Sequence, residues 1–164
     1  MQEQENIISL PNIKLIATKV FQLSIFVALA VVAPYFGNQL ITGSVVNTLL
    51  FISTSIIGLE SAFLLCLIPS LISIYTGLLP LALAPMIPFM MTGNALLVLI
   101  FSKLSKKSFW FGAVSASLIK FAFIYFAGMI FLKNISLMIS WPQLATAIAG
   151  ACIAFLFLKV IKKN

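Results

Sequence analysis

The chain has 164 residues, of which 62% are hydrophobic and only 8% are charged, and its mean hydropathy is +1.20. A soluble domain of this length needs far more polar surface to cover its core, so the composition excludes an ordinary soluble protein. The net charge of +7 is compatible with a nucleic-acid partner, but the positions of the lysines favour a different explanation, given below.

The apolar residues fall into six segments separated by short polar or proline-containing stretches. One membrane-spanning helix takes roughly 20 residues, so this length holds about six spans and leaves no room for a separate soluble domain. We therefore predict an all-α membrane protein with one domain over residues 1–164. The predicted helices, each with an error of a few residues at its ends, are Lys14–Pro34, Leu40–Ile57, Ser61–Tyr75, Ile87–Phe101, Phe109–Leu132 and Trp141–Ile161.

Prolines guide two of these predictions. The stretch 77–88 contains Pro80, Pro85 and Pro88, which is too many for one regular helix, yet it is apolar and uncharged. We expect it to form an irregular loop at the outer membrane face between the third and fourth helices. Pro142 follows Trp141 at the predicted start of the sixth helix, where proline is favoured in the first turn.

Lysine placement predicts the orientation of the chain in the membrane. Loops that remain in the cytoplasm are enriched in lysine and arginine. In the six-helix arrangement eight lysines fall on one side and only Lys133 on the other, so both termini are predicted to be cytoplasmic. Membrane orientation thus explains the basic charge without a nucleic acid. The eight lysines are Lys14, Lys19, Lys103, Lys106, Lys107, Lys159, Lys162 and Lys163.

Lys120 lies near the middle of the fifth segment, where a charge costs at least ~2.5–3.5 kcal/mol and rarely occurs without a purpose. The helix face that carries it is otherwise small, and small faces pack against other helices. We therefore expect Lys120 to point into the bundle and to neutralise an anionic group of a ligand. The alternative is a structural partner, such as a helix C-terminus, backbone carbonyls or a bound water. The small residues of this face are Ala113, Ala116, Ser117, Ala127 and Gly128.

Further polar and aromatic residues lie in the predicted outer half of the bundle. A few polar groups in an apolar wall are typical of a small-molecule pocket. Each residue has an alternative. Tyr75 and Trp141 also fit an interfacial aromatic belt, Asn47 and Asn94 fit hydrogen bonds between helices, and Asn38 and Gln39 fit an ordinary loop. The candidate substrate-binding residues, besides Lys120, are Asn38, Gln39, Asn47, Tyr75, Asn94, Trp141 and Gln143.

Several kinds of chemistry have no residues to support them. The sequence contains no GxxxxGK[ST] phosphate-binding motif and no histidine, and Glu60 offers no second carboxylate for acid–base catalysis. Met86, Met90 and Met91 fit flexible apolar packing better than a copper(I) site. We therefore expect no enzymatic activity, no metal and no cofactor.

Two stretches carry a resemblance to a known family. They are Asn38–Gly43 with Asn47, and Leu81–Phe89 with the pair Gly93-Asn94. With the minimal six-helix arrangement, they make nearly the whole chain similar to the substrate-binding S components of the energy-coupling factor (ECF) transporters. These transporters are bacterial importers of vitamins and micronutrients, so the resemblance implies a multi-pass protein of the bacterial plasma membrane.

The resemblance also implies a mechanism and partners. S components bind one ligand in an outward-facing pocket and associate with a transmembrane T component and two ATPase subunits, whose ATP hydrolysis drives release inside. Family members often dock the T component through an Ala-x-x-x-Ala motif on helix one. This chain departs from that motif and offers Ser24 and Ala28 at the same spacing, which implies a docking role for them.

Two other functions compete with this interpretation. One is a self-sufficient small secondary transporter or channel that acts as a homo-oligomer. Such carriers usually have acidic residues inside the membrane for ion coupling, and the apolar segments have none at mid-membrane. The other is a structural or assembly protein of the membrane without a small ligand.

Overall fold

The computed structural model describes residues 13–132 and 136–163, and over these residues the protein is entirely helical. Six α-helices are joined by short connections, two of which form 3-10 helices over Ala33–Phe36 and Leu81–Met86. This confirms the predicted all-α class and the number of helices. The α-helices are α1 (Ile13–Val32), α2 (Gln39–Ile56), α3 (Leu59–Tyr75), α4 (Ile87–Leu104), α5 (Phe109–Leu132) and α6 (Ser136–Lys163).

Five of the helical segments in the described part of the chain are long and apolar enough to cross a membrane. The exception is α3, which is apolar but has only 17 residues. Large hydrophobic side chains are exposed along the outside of the bundle, among them Phe21, Phe111 and Leu156. Such a surface is stable in lipid rather than in water, so the chain is a multi-pass membrane protein.

The start of the sixth helix corrects one prediction. We expected the helix to begin near Trp141, but α6 begins at Ser136 and contains Pro142 in its interior. Ile139 is 8% exposed and packs in one apolar cluster with Ile124 of α5 and Met86, which stabilises the extra turns. This burial offsets the one backbone hydrogen bond that the proline removes.

The proline-rich stretch between α3 and α4 is more regular than expected. After α3 the backbone turns through Gly77, whose φ of +71° is a left-handed conformation that favours glycine. Leu81–Met86 then form a 3-10 helix, and Pro88 lies in the first turn of α4. Leu79 and Met86 are buried, so this segment covers one end of the bundle instead of extending into solvent.

The helices α2, α4, α5 and α6 form the centre of the bundle, and α1 packs mainly against α3 and α2. Close approach of α2 and α6 depends on Gly150, since a Cβ atom there would lie 2.8 Å from Cβ of Asn47. Helices α4 and α5 approach closely at Gly93 of α4, where a Cβ atom would lie 3.0 Å from Cδ1 of Ile124 on α5. These contacts bring polar side chains of neighbouring helices within reach of one another.

Two ends of the bundle can be distinguished by their residues. Lys107 and Lys159 line one cleft where α2, α4 and α6 end and α5 begins, and we call this the lysine-rich end. The opposite end, where α2, α4 and α6 begin, is covered by residues 76–86. The single lysine predicted on that side, Lys133, lies outside the described residues.

Candidate functional site

Lys120 points into the bundle, as predicted. Its side chain is 1% exposed, and the small residues on the same face of α5 are buried, with Ala116 and Ser117 completely so. On the opposite face Phe111 and Leu118 are about half exposed, at 53% and 50%. The size pattern along α5 therefore determines which side of the helix packs against its neighbours.

The Lys120 ammonium is held by two side-chain amides from different helices. Nζ donates a hydrogen bond of 2.8 Å to Oδ1 of Asn47 on α2 and one of 2.7 Å to Oδ1 of Asn94 on α4. An ammonium has three N–H donors, and no third acceptor lies within hydrogen-bond distance among residues 13–132 and 136–163. One strong donor is therefore available inside the protein.

The two asparagines are oriented by bonds on their other side. Nδ2 of Asn47 donates to the carbonyl oxygen of Gly43 at 2.8 Å and to Oγ1 of Thr146 at 3.2 Å. Nδ2 of Asn94 makes a longer bond of 3.4 Å to the carbonyl oxygen of Cys66. With the amide N–H groups engaged in this way, both amide oxygens face Lys120. A single network thus joins α2, α3, α4, α5 and α6.

No carboxylate balances the charge of Lys120 in the described part of the chain. Glu60 is the only acidic residue there, and it is exposed in the first turn of α3. Pro69, which lies beside the Lys120 cavity, is nine residues further along α3, or about 14 Å along the helix axis. The network is therefore neutral apart from one ammonium, which is the arrangement expected of a site that receives an anion.

A cavity of about 60 Å³ adjoins Lys120 near the end of the bundle opposite the lysine-rich end. A space of this size admits a few water molecules but is far smaller than the roughly 300–1,000 Å³ of typical small-molecule sites. Its walls combine amide and hydroxyl groups with apolar side chains. The lining residues are Gln39, Thr42, Gly43, Val46, Asn47, Pro69, Ser70, Ser73, Leu78, Leu79, Met90, Asn94, Lys120 and Gln143.

Five of the eight candidate residues come together at this cavity. Asn47 and Asn94 form the hydrogen bonds between helices that were the alternative to a binding role, and the same two residues also line the cavity with Lys120. Gln39, the first residue of α2, and Gln143 on α6 complete the group. Residues from four helices that are far apart in sequence therefore meet in one place.

The other three candidates do not line this cavity. Oδ1 of Asn38 accepts hydrogen bonds from the backbone N–H groups of Leu40 and Ile41, at 2.9 and 3.2 Å, and so caps α2. Tyr75 is 87% exposed and Trp141 is 60% exposed. Their positions fit the interfacial aromatic belt that was the alternative for these residues.

Several residues of the site were not among the sequence candidates. Thr146 supports Asn47, while Ser70 and Ser73 of α3 supply hydroxyl groups to the cavity wall. Thr146 stands four residues before Gly150 on α6, which places the hydroxyl and the close-packing glycine on one helix face. That spacing was a usable signal, whereas single serines in an apolar helix were not.

The proposed docking residues lie on the outside of the bundle. Ser24 and Ala28 are both exposed on α1, and very few residues of that helix are buried. The Ser24 hydroxyl donates a hydrogen bond of 2.9 Å to the carbonyl oxygen of Val20, so it already has a partner within its own helix. The pair therefore forms a small, apolar-compatible patch that lipid or another helix can cover.

Compared with protein-family models, with curated proteins and with solved structures, the chain matches none of them. The function must therefore be inferred from the site itself. The central observation is a buried ammonium that, among the described residues, has no counter-ion and one free donor, and that borders a cavity between membrane helices.

Proposed function

We propose that the chain is the substrate-capture membrane subunit, or S component, of an ECF-type ATP-driven importer of a vitamin-like micronutrient. The observation that carries this proposal is Lys120, which is buried, lacks a counter-ion in the described residues and has a free N–H donor beside a polar cavity. A group maintained at such a cost in the membrane is typical of a binding or transport site. Asn47 and Asn94 hold the ammonium in place, so a ligand anion meets a preorganised donor.

The lysine distribution gives the proposed orientation. If the lysine-rich end with Lys107 and Lys159 is cytoplasmic, both termini are cytoplasmic and the Lys120 cavity lies near the outer face. This orientation suits a subunit that captures its ligand from outside. In this orientation α2, α4 and α6 each run from the outer face to the cytoplasmic face.

Ligand entry requires movement of the covering segment. Leu78 and Leu79 line the Lys120 cavity from the connection between α3 and α4, and the cavity is too small for a vitamin while they remain there. We expect residues 76–86 to move outward when the ligand enters and to close over it afterwards. The three glycine and proline positions Gly77, Pro80 and Pro85 give this segment few backbone hydrogen bonds with the helices beside it.

The proposal includes separate subunits for energy coupling. The sequence has no phosphate-binding loop for ATP, which agrees with a T component and two ATPase subunits as partners. The exposed face of α1 with Ser24 and Ala28 is available for the T component. Small residues at a spacing of four allow two membrane helices to approach closely.

Co-purification tests the proposal. The chain, expressed in its host with the T and ATPase subunits, should form one stable complex, and cells with that complex should take up the ligand that mass spectrometry finds on the purified chain. Lys120→Gln should reduce uptake at least about tenfold because it removes the charge and the third donor. Lys107→Gln at the lysine-rich end is the matched control and should leave uptake unchanged.

Two results would contradict the importer assignment. One is failure of the chain to associate with any T and ATPase module of its host. The other is ion-driven transport by the chain alone in liposomes, which is the property of the competing secondary carrier.

A further inference from the structure

A second cavity adjoins the one at Lys120. It has a volume of about 250 Å³ and lies among the 3-10 helix Leu81–Met86, the first turn of α4 and the first turn of α6. Three residues, Gln39, Leu79 and Met90, line both cavities. These side chains therefore border both spaces, and movement of Leu79 or Met90 is the simplest way for one ligand to occupy both.

The second cavity has fewer polar side chains in its walls than the first. Its walls are apolar except for Gln39, and three of the side chains are methionines, which adapt to the shape of an apolar partner. Such a space favours a hydrocarbon or ring system over a hydrated group. Its lining residues are Gln39, Leu79, Pro80, Leu83, Met86, Met90, Met138 and Ile139.

The helix geometry gives the distance between the two regions. Asn94, which binds Lys120, and Met86, which lines the second cavity at the start of α4, are eight residues apart in sequence. Asn47 and Gln39 on α2 have the same separation. Eight residues correspond to about 12 Å along a helix, and Met90, which lines both cavities, is four residues or about 6 Å from Asn94. A ligand with its charged head on Lys120 therefore reaches the second cavity with an apolar end about 6–12 Å away.

The number of charges limits the head group. Lys120 is the only buried cation in the described residues, and the groups around it are neutral amides and hydroxyls. One ammonium balances one negative charge, and a second buried negative charge would remain uncompensated at high cost. A carboxylate therefore fits this position better than a phosphate dianion.

From these contacts we infer that the ligand is an amphipathic organic acid, with its carboxylate on Lys120 and an apolar end about 6–12 Å away in the methionine-lined cavity. This inference rests on the proposed function and adds the substrate class to it. The Lys120 N–H that has no acceptor donates to the carboxylate. The hydroxyl of Ser70 lies along the same wall and can donate to the second carboxylate oxygen, whereas the Ser73 hydroxyl already donates to the carbonyl oxygen of Pro69 at 2.7 Å.

Octanoate is the probe for this inference, measured by calorimetry at pH 6.0 with the chain in nanodiscs of uncharged lipid and with empty nanodiscs subtracted. Acetate supplies the head alone, and 1-octanol supplies the tail with a neutral head. We expect octanoate to bind at least about tenfold more tightly than 1-octanol, because the hydrogen bond to the ammonium is charge-assisted. Between butanoate and octanoate the affinity should rise about fourfold per methylene.

Two variants separate the head and tail contributions. Leu83→Trp places a large ring in the second cavity and should weaken octanoate at least about tenfold. Leu81→Trp is its control, since Leu81 is on the same 3-10 helix, is 77% exposed and lines neither cavity. Lys120→Gln should remove the preference for octanoate over 1-octanol.

The outcomes distinguish this inference from the proposed function. Equal binding of octanoate and 1-octanol, or equal effects of Leu83→Trp and Leu81→Trp, would overturn the assignment of an amphipathic acid. A chain that assembles with T and ATPase subunits but retains a polar uncharged ligand would overturn it as well, and would leave the importer assignment intact. Selective octanoate binding by a chain that assembles with no T or ATPase subunit would support the amphipathic acid and overturn the importer assignment.

Discussion

Gly150 of α6 lies directly against Asn47 of α2, so that a Cβ atom on Gly150 would come within 2.8 Å of both Cβ of Asn47 and the backbone nitrogen of Thr48. The amide of this same Asn47 accepts one of the two hydrogen bonds from Lys120. The packing of α2 on α6 and the position of the ammonium are therefore coupled through one residue. A change at Gly150 tests whether that coupling is real.

Gly150→Ala should destabilise the bundle by about 1–3 kcal/mol, since the added methyl group meets backbone as well as side-chain atoms and α2 must move away. The movement should also weaken octanoate binding, because it displaces Asn47 and with it the Lys120 ammonium, although Gly150 lines neither cavity. Unfolding of the purified protein in mixed micelles measures the first effect and calorimetry the second. Cys152→Val, at an exposed position of α6, is the control and should change neither.

The polar network should behave non-additively. Asn94→Leu leaves the ammonium with one acceptor and should cost about 1.5–3 kcal/mol of unfolding free energy. Adding Lys120→Met removes the buried charge, so the double variant should be more stable than Asn94→Leu alone. A double-mutant cycle of unfolding free energies measures this coupling.

Additive changes would show that Lys120 and Asn94 do not depend on each other. Ligand binding supplies an independent measurement, because the double variant should remain folded and yet bind no anion. A double variant that still binds octanoate would remove Lys120 from the site.

The orientation of Lys120 was predictable because it depends on local spacing. Small residues three, four, seven and eight positions from Lys120 predict which face of α5 is buried, and those residues are buried. The hydrogen bonds of its ammonium were not predictable in the same way. Asn47 and Asn94 are 73 and 26 residues away from Lys120, and their contacts depend on the rotation and relative height of three separate helices.

Two candidate residues, Tyr75 and Trp141, are exposed on the outside of the bundle and do not line the cavity. Tyr75 and Trp141 are at helix positions that a sequence assigns equally well to a pocket or to the membrane interface, and only the packing of neighbouring helices distinguishes them. The predicted start of α6 was wrong for a different reason. A proline predicts the first turn of a helix from local rules, whereas burial of Ile139 against α5 is a long-range contact that overrides them.

Cysteine labelling tests the proposed orientation. In a background with Cys66→Ala and Cys152→Ala, a cysteine introduced by Leu81→Cys should react with a membrane-impermeant maleimide in intact cells, because we place residues 76–86 outside. One introduced by Lys106→Cys should react only after permeabilisation, since the connection between α4 and α5 belongs to the lysine-rich end. The opposite labelling pattern would place the Lys120 cavity on the cytoplasmic side and exclude capture from outside.

The exposed face of α1 provides a test of partner assembly that leaves the ligand site untouched. Ser24→Leu and Ala28→Leu each enlarge a side chain that is exposed on α1 and forms no wall of either cavity. A larger side chain prevents close approach of a partner helix but remains compatible with lipid. Each variant should therefore reduce recovery of the T and ATPase subunits in co-purification, while octanoate binding to the isolated chain stays within about twofold of wild type.

Thr18→Leu is the matched control for these two changes. Thr18 is also exposed on α1 and lies about 120° round the helix from Ser24 and about 80° from Ala28, so it is outside the face that these two residues share. We expect this control to assemble normally. If it impairs assembly as much as Ala28→Leu does, α1 does not use a specific small-residue face. If none of the three variants impairs assembly, the docking surface must be sought on the exposed sides of other helices, such as the face of α5 that carries Phe111 and Leu118.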